Sequence, residues 1–203
     1  MDKKTIQKGL RAIAKVDSDI AEQLQVMGYP QPRIRPQGFE TLLSIIVSQQ
    51  LSTHAADAIM NRLREAMPSM QASGMLELDA KTLKSLGLSR QKIDYVSSLA
   101  QKIVDGDFIP EQIQGLTEEE AIKEIVALRG LGRWSAEIYL MFSLQRTDVF
   151  PADDLAIQVA LQKLKKLPEK PTPKAARDLV VHWAPWRSAG SLFLWHYYKG
   201  APA

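Results

Sequence analysis

The segment IVALRGLGRWSAEI, Ile125 to Ile138, constrains this chain more than any other, because it makes two helices meet across three residues. Ile125 and Leu128 keep helical spacing, Gly130-Leu131-Gly132 breaks it, and a new helical pattern carrying small Ser135 and Ala136 begins at once. Glycine tolerates the left-handed backbone that so sharp a reversal needs, and Leu131 between the two glycines can turn inward as a plug. The second helix starts with backbone N–H groups that have no acceptor in their own helix, an arrangement that suits a phosphate. Contacts of that kind position a nucleic-acid backbone without reading its bases. The carbonyls of Leu128 and Gly130 are candidate ligands for a monovalent cation. A plain corner between two helices fits the same spacing, so the residues alone leave both readings open.

The rest of the sequence also reads as helix. Asp17 to Met27 is amphipathic and stops at Gly28, and YPQPRIRPQG, Tyr29 to Gly38, is too proline-rich to continue it, which predicts a linker or lobe boundary. Phe39 to Gln50 is apolar enough for a buried helix; Ser52 to Met67 follows with Ala55, Ile59, Leu63 and Ala66 on one face. Two further helices close at Gly87 and Gly106, and Thr117 with Glu120 forms a capping box that opens the helix before the glycine hairpin. A helix is predicted from about Asp154 to Lys165, another after Thr172-Pro173, and a last one, WRSAGSLFLWHYYKG, ending at Gly200. No period-2 strand and no internal repeat is visible, so the expected class is all-α.

Composition narrows the chemistry. The 203 residues carry 26 Lys plus Arg against 23 Asp plus Glu, and no cysteine. Disulfides, thiolate metal sites, Cys-ligated iron–sulfur clusters and a cysteine nucleophile are therefore excluded. No run approaches the ~20 apolar residues of a membrane span, and the start lacks the apolar core of a secretory signal. The expected location is cytoplasmic, nucleoid-associated in a bacterium, with no membrane contact. Charge is uneven: Asp105 to Glu124 holds seven acids and one base, Leu161 to Ala203 eight bases and two acids, so the C-terminal third could face an anionic partner.

Two more constellations could carry chemistry. In DVFPADD, Asp148 to Asp154, adjacent acids follow Pro151 where a helix begins; one carboxylate can cap that helix while the other stabilises a cation or activates water. Trp134, Trp183, Trp186, Trp195, Tyr197 and Tyr198 are core candidates that could also line a pocket stacking on a base, with a cationic base favoured. His54, His182 and His196 show no metal-ligand spacing. The Gly-Leu-Gly run lies between helices and not after a strand, so no nucleotide or redox cofactor is expected.

Taken together, FETLLSIIVSQQLS, LKSLGLSRQKIDYVSSLA, ALRGLGRWSAEIYLMFSL, DVFPADDLAIQVAL and APWRSAGSLFLW resemble, in order and spacing, the helix-hairpin-helix (HhH-GPD) DNA glycosylase superfamily, in its DNA-3-methyladenine glycosylase II (AlkA-like) branch. The resemblance covers about Gly38 to Tyr198. It implies a two-lobed all-α fold with the active-site cleft between the lobes: a continuous bundle over residues 37–147 that includes the hairpin, and a second lobe from 1–36 plus 148–203. The N-terminal β lobe of some larger relatives has no counterpart here.

The resemblance also assigns residues. Asp154 matches the catalytic carboxylate, with Asp153 as the cap or orienter. Gln49, Gln50 and Leu51 lie at the turn that enters the minor groove, without showing which of them is the wedge. Arg129, Gly130, Leu131, Gly132, Arg133 and Ser135 belong to the phosphate-binding hairpin. Trp134, Trp186 and Arg187 match the substrate pocket, and Ile138 and Leu155 stand where the larger relative has tyrosines, which implies a less aromatic pocket. Trp134 also stands where lyase-competent relatives carry their Schiff-base lysine. The expected activity is a monofunctional, monomeric hydrolase that releases 3-methyladenine-type alkylated purines from damaged double-stranded DNA, the first step of base excision repair. A glycosylase for another lesion such as hypoxanthine, or a non-catalytic DNA-binding module, are the competing readings; the latter would have no use for an acid at position 154.

Overall fold

Helix-forming patterns punctuated by caps leave little room for anything else, and the computed structural model, which describes residues 1–198, contains only helical regular elements among them. The chain opens with α1 (Lys3–Ile13) and α2 (Ser18–Met27). After the proline-rich segment come α3 (Phe39–Ser48), α4 (Thr53–Ala66), α5 (Ala72–Leu76), α6 (Ala80–Ser85), α7 (Arg90–Val104), α8 (Glu118–Val126) and α9 (Arg133–Phe142). The last elements are α10 (Leu155–Leu164), α11 (Pro173–Leu179) and α12 (Arg187–Tyr197). The predicted helix end at Gly200 lies outside the described residues. No described helix is long and apolar enough to cross a membrane.

By their contacts these residues form two units, a central one, Arg35–Tyr139, and a terminal one made of Met1–Ile34 and the chain from Leu140 onward. The first boundary falls in the proline-rich linker. The second falls inside α9 rather than in the loop near residue 147, because Phe142 at the helix end lies against Trp195 with ring centroids 5.7 Å apart.

The central unit is built around α3, whose Leu42, Leu43, Ile45, Ile46 and Val47 are completely buried and which packs on α4 and α7. Each such side chain contributes about 1.5–3 kcal/mol by leaving water. Tyr139, also fully buried, accepts a hydrogen bond from the Gly38 N–H at 2.9 Å and so fixes where the linker ends and α3 begins. Burial pushes its phenol pKa up.

In the terminal unit α12 is the buried element, packed by α1 on one side and α10 on the other. The α1 crossing needs a glycine: a Cβ at Gly9 would come within 2.8 Å of the Ala189 Cβ and 3.0 Å of the Trp186 ring. Gly190 likewise admits Trp183, whose ring lies 2.3 Å from where a Cβ would stand. Deep in this unit Asp17, the N-cap of α2, gathers Lys165 Nζ (2.7 Å), His182 Nε2 (3.0 Å) and Trp183 Nε1 (2.7 Å). Burial opposes its charge, but the hydrogen bonds from Lys165, Trp183 and His182 outweigh it and hold the carboxyl at about 2.

Candidate active site and nucleic-acid interface

The hairpin of the central unit begins where α8 ends. The capping box is formed as its sequence predicts, with Thr117 Oγ1 accepting from Glu120 N and Glu120 accepting from Thr117 N. Past the helix the Leu131 N–H turns back to the Leu128 carbonyl at 3.1 Å, and Leu131 is buried. Gly130 has φ +87°, and a Cβ there would lie 2.2 Å from the Tyr95 ring. Gly132 differs from the expectation: its φ is not positive, and a Cβ would meet nothing within 4 Å. Gly130 is therefore demanded by the fold, whereas at Gly132 no protein atom enforces the missing side chain.

The remaining hairpin residues divide by exposure. Arg133 is exposed and its Nε lies 2.9 Å from the carboxylate of buried Glu137. The Arg129 guanidinium leans over the Tyr95 ring at 5.8 Å, with Asp94 3.9 Å away. Trp134 is half-buried in the first turn of α9, and Ile138 is buried one turn further. Ser135 is buried, with Oγ 3.5 Å from Gln49 Nε2, so within the hairpin its side chain faces the protein.

The turn after α3 is tied to the same hairpin. Gln49 Nε2 donates to the Gly130 carbonyl at 2.8 Å. Lys92 on α7 donates to the Val47 carbonyl at 2.6 Å and the Gln49 carbonyl at 2.8 Å, capping α3; burial lowers its pKa. Gln50 takes φ +58° at the tip, where it and Leu51, 40% exposed, project outward. Of the three residues at this turn, Gln49 faces the hairpin and the other two face solvent. Both proposed cation ligands already accept hydrogen bonds, Leu128 from Leu131 N and Gly130 from Gln49, and no cluster of three or more His or acidic groups suited to a metal occurs among the described residues.

In the terminal unit, Asp154 is the N-cap of α10. Its Oδ1 accepts from Ile157 N at 3.0 Å and from Trp195 Nε1 at 3.1 Å. The cap expected of Asp153 is made by Asp154 itself, and the Asp153 carboxylate instead pairs with Arg177 at 3.0 Å. The loop leading to Asp154 is clamped from α12, where Arg187 makes a forked pair with Asp148 (2.8 and 2.7 Å) and Ser188 Oγ accepts from Val149 N (2.9 Å) and donates to Val149 O (3.1 Å). Arg187, expected beside the pocket aromatics, thus spends its guanidinium on holding this loop. Trp186 stands at the N-cap of α12 with Gly9 beneath it and the Lys8 ammonium 5.4 Å from its ring centre. Leu155, 62% exposed, is open to solvent rather than enclosed, because as the first residue of α10 it lies off the buried face formed by Ile157, Ala160, Leu161 and Leu164.

Against this geometry, residues 43–185 match the HhH-GPD superfamily of base excision DNA repair proteins. The chain is 36% identical over 162 residues to DNA-3-methyladenine glycosylase 1 of Schizosaccharomyces pombe, covering 77% of this chain and 71% of that protein. The chain belongs to the HhH-GPD superfamily, in its AlkA-like branch. Among solved structures it is similar to the Schizosaccharomyces pombe 3-methyladenine DNA glycosylase in complex with abasic DNA, with TM-score 0.88 and 30% identity over 97% of this chain and 98% of that one. A DNA-3-methyladenine glycosidase from Bacillus halodurans has TM-score 0.82 and 27% identity, over 94% and 89% of the two chains.

Three residues of this HhH-GPD protein escaped sequence reasoning. Trp195 read as a core aromatic, yet its indole N–H orients Asp154. Ser188 and Lys92 carried no signal, because their partners are backbone groups at separations of 39 residues and more, and a backbone carbonyl or amide looks alike at every position. For Trp195 the sequence carries only the general signal that a buried indole N–H needs an acceptor, without saying which one, 41 residues away, it meets.

Proposed function

We propose that this HhH-GPD protein is a monofunctional DNA glycosylase that hydrolyses the N-glycosidic bond of 3-methyladenine-type alkylated purines in duplex DNA, acting as a monomer. The observation that carries the reading is the placement of Asp154: a carboxylate at a helix start, oriented by Ile157 N and Trp195 Nε1, in a chain this similar to a DNA-3-methyladenine glycosylase. The reaction breaks the bond between C1′ of the deoxyribose and the purine nitrogen, and the electron pair leaves with the base. An N-alkylated purine already bears positive charge and departs neutral, so no strong leaving-group acid is required. The sugar acquires oxocarbenium character, which the Asp154 carboxylate stabilises while water adds at C1′ and gives up a proton. The sugar–phosphate backbone stays intact. Trp134 offers no amine for a Schiff base, which supports hydrolysis without strand cleavage.

Within this reading the hairpin amides with Arg129 and Arg133 hold phosphates, and Gly132, with no protein atom near its missing side chain, lets the backbone approach one closely. Gln50 or Leu51 fills the gap left by the flipped base, whose extrusion costs a few kcal/mol. Single-turnover release of bases from methylated duplex DNA, with wild type and Asp154→Asn in parallel and strand nicking monitored, tests the proposal. Release by the wild type alone, without nicking, is expected; no alkylpurine release by the wild type sinks it. Aliphatic Ile138 and exposed Leu155 should weaken selection for cationic bases, so Ile138→Tyr should shift the ranking of alkylpurines against hypoxanthine.

A further inference from the structure

We propose that the solvent face of α1 is a second contact for the DNA backbone, made by the terminal unit independently of the hairpin. Lys4, Lys8, Arg11 and Lys15 follow one another at intervals of four, three and four residues, which places them on one face of the helix and its C-terminal extension. All four are exposed, while Ile6, Gly9, Leu10 and Ile13 on the other face are buried. Together with Gln7 and Ala12 the four cations line a shallow hollow of about 470 Å³.

Two observations separate this stripe from an ordinary solvated face. First, none of the four cations makes an ion pair with a carboxylate among the described residues. The acids nearest in sequence are Asp2 and Asp17: Asp2 caps the helix through Thr5 N and acts on Lys4 only at longer range, and Asp17, like Asp19, is taken by Lys165. Acids three or four residues away would offset such a row, and α1 itself contains none. Second, the stripe adjoins a residue assigned to the lesion pocket, since the Lys8 ammonium lies over the Trp186 ring at 5.4 Å. Arg11 is held in place too, its Nε 3.2 Å from the Tyr29 hydroxyl and its guanidinium over that ring.

A partner for this face must be a polyanion with closely repeated charges. From Lys4 to Lys15 the stripe is about 16 Å long, roughly half a turn of duplex, along which phosphate charges recur about every 1.7 Å. Duplex DNA supplies that pattern, and Lys8 over Trp186 puts the row beside a residue implied for the lesion pocket. The inference rests on the DNA reading above and adds a sequence-independent contact to it.

The test is the salt dependence of affinity for undamaged duplex DNA. Removing one phosphate-binding cation should reduce the steepness of log Kd against log salt by about 0.9. The triple variant Lys4→Gln, Arg11→Gln, Lys15→Gln is expected to flatten the slope by about 2.7, and the double variant Lys4→Gln, Lys15→Gln, which leaves the Tyr29 contact intact, by about 1.8. A control with equal charge loss elsewhere, Lys81→Gln, Lys84→Gln, Lys102→Gln, should leave the slope unchanged. Slopes equal to wild type in the α1 variants overturn the proposal, and so does an equal flattening in the control, which would indicate only net charge. Loss of binding to phosphatidylglycerol-containing vesicles with the DNA slope unaltered also overturns it, in favour of a membrane surface. Base release measured alongside keeps the two readings apart: release with unchanged slopes removes the α1 contact alone, and flattened slopes without release remove the proposed activity alone.

Discussion

Asp17 and Asp154 are built from the same local device in different surroundings. Each is the N-cap of a helix in the terminal unit, each accepts from the backbone N–H three residues on, and each accepts an indole N–H, from Trp183 and Trp195 respectively. Asp17 is buried and takes Lys165 on both oxygens with His182 beside it. Asp154 is only half-buried, and both N–H donors converge on its Oδ1. The cap and the indole set where each carboxylate points, and around buried Asp17 the Lys165 ammonium and His182 commit its charge to holding the fold. Asp17 is accordingly a structural joint between α2 and the chain around Lys165 and His182, and Asp154 is the group proposed to face a developing cation.

The sharpest break of this contrast is exchange of each acid for its amide, which preserves the cap. Asp154→Asn should lower single-turnover base release by about two to three orders of magnitude, the scale of losing one electrostatic stabiliser, with the melting temperature nearly unchanged. Asp17→Asn should do the reverse: Lys165 keeps its pair with Asp19 but loses the one with Asp17, costing about 2 kcal/mol in denaturant unfolding, while the release rate at low temperature stays at the wild-type value. If both variants lose stability and neither loses rate, the contrast is wrong.

The two indoles should repeat the pattern at smaller amplitude. Trp195→Phe removes the N–H from Asp154 and should slow release about tenfold, the worth of one hydrogen bond to a charged group. Trp183→Phe removes the equivalent bond from Asp17 and should lower the melting temperature without touching the rate. The smallest effect is a pH limb. Because Asp17 is held at about 2 in the folded protein, its contribution to stability is complete above the ordinary carboxylate range and is lost as pH falls from about 4 toward 2. Urea midpoints across that interval should fall less in Asp17→Asn than in wild type.

Local signals in the chain are legible where both partners lie close together. The capping box at Thr117 and Glu120, the glycine stop at Gly28 and the buried character of α3 follow from neighbours within one or two turns, which a sequence displays directly. Even so, the two acids at the start of α10 are locally equivalent, and the resemblance implied Asp153 as the cap; Asp154 takes it, while Arg177, 24 residues away, pairs with Asp153. The burial of Ser135 is equally invisible locally, since the side chain it faces, Gln49, lies 86 residues earlier.

By itself the sequence determined an all-helical chain, a glycine hairpin closed by Leu131 and an acid at the start of α10, since capping, periodicity and positive-φ demands are settled over a few residues. Only the tertiary structure decided what those groups would do. Trp195 reaches Asp154 across 41 residues and Lys165 reaches Asp17 across 148, and no local propensity encodes which side chain a buried carboxylate will meet. Partners at such separations are selected by how helices pack, and packing is fixed only when the whole core is assembled.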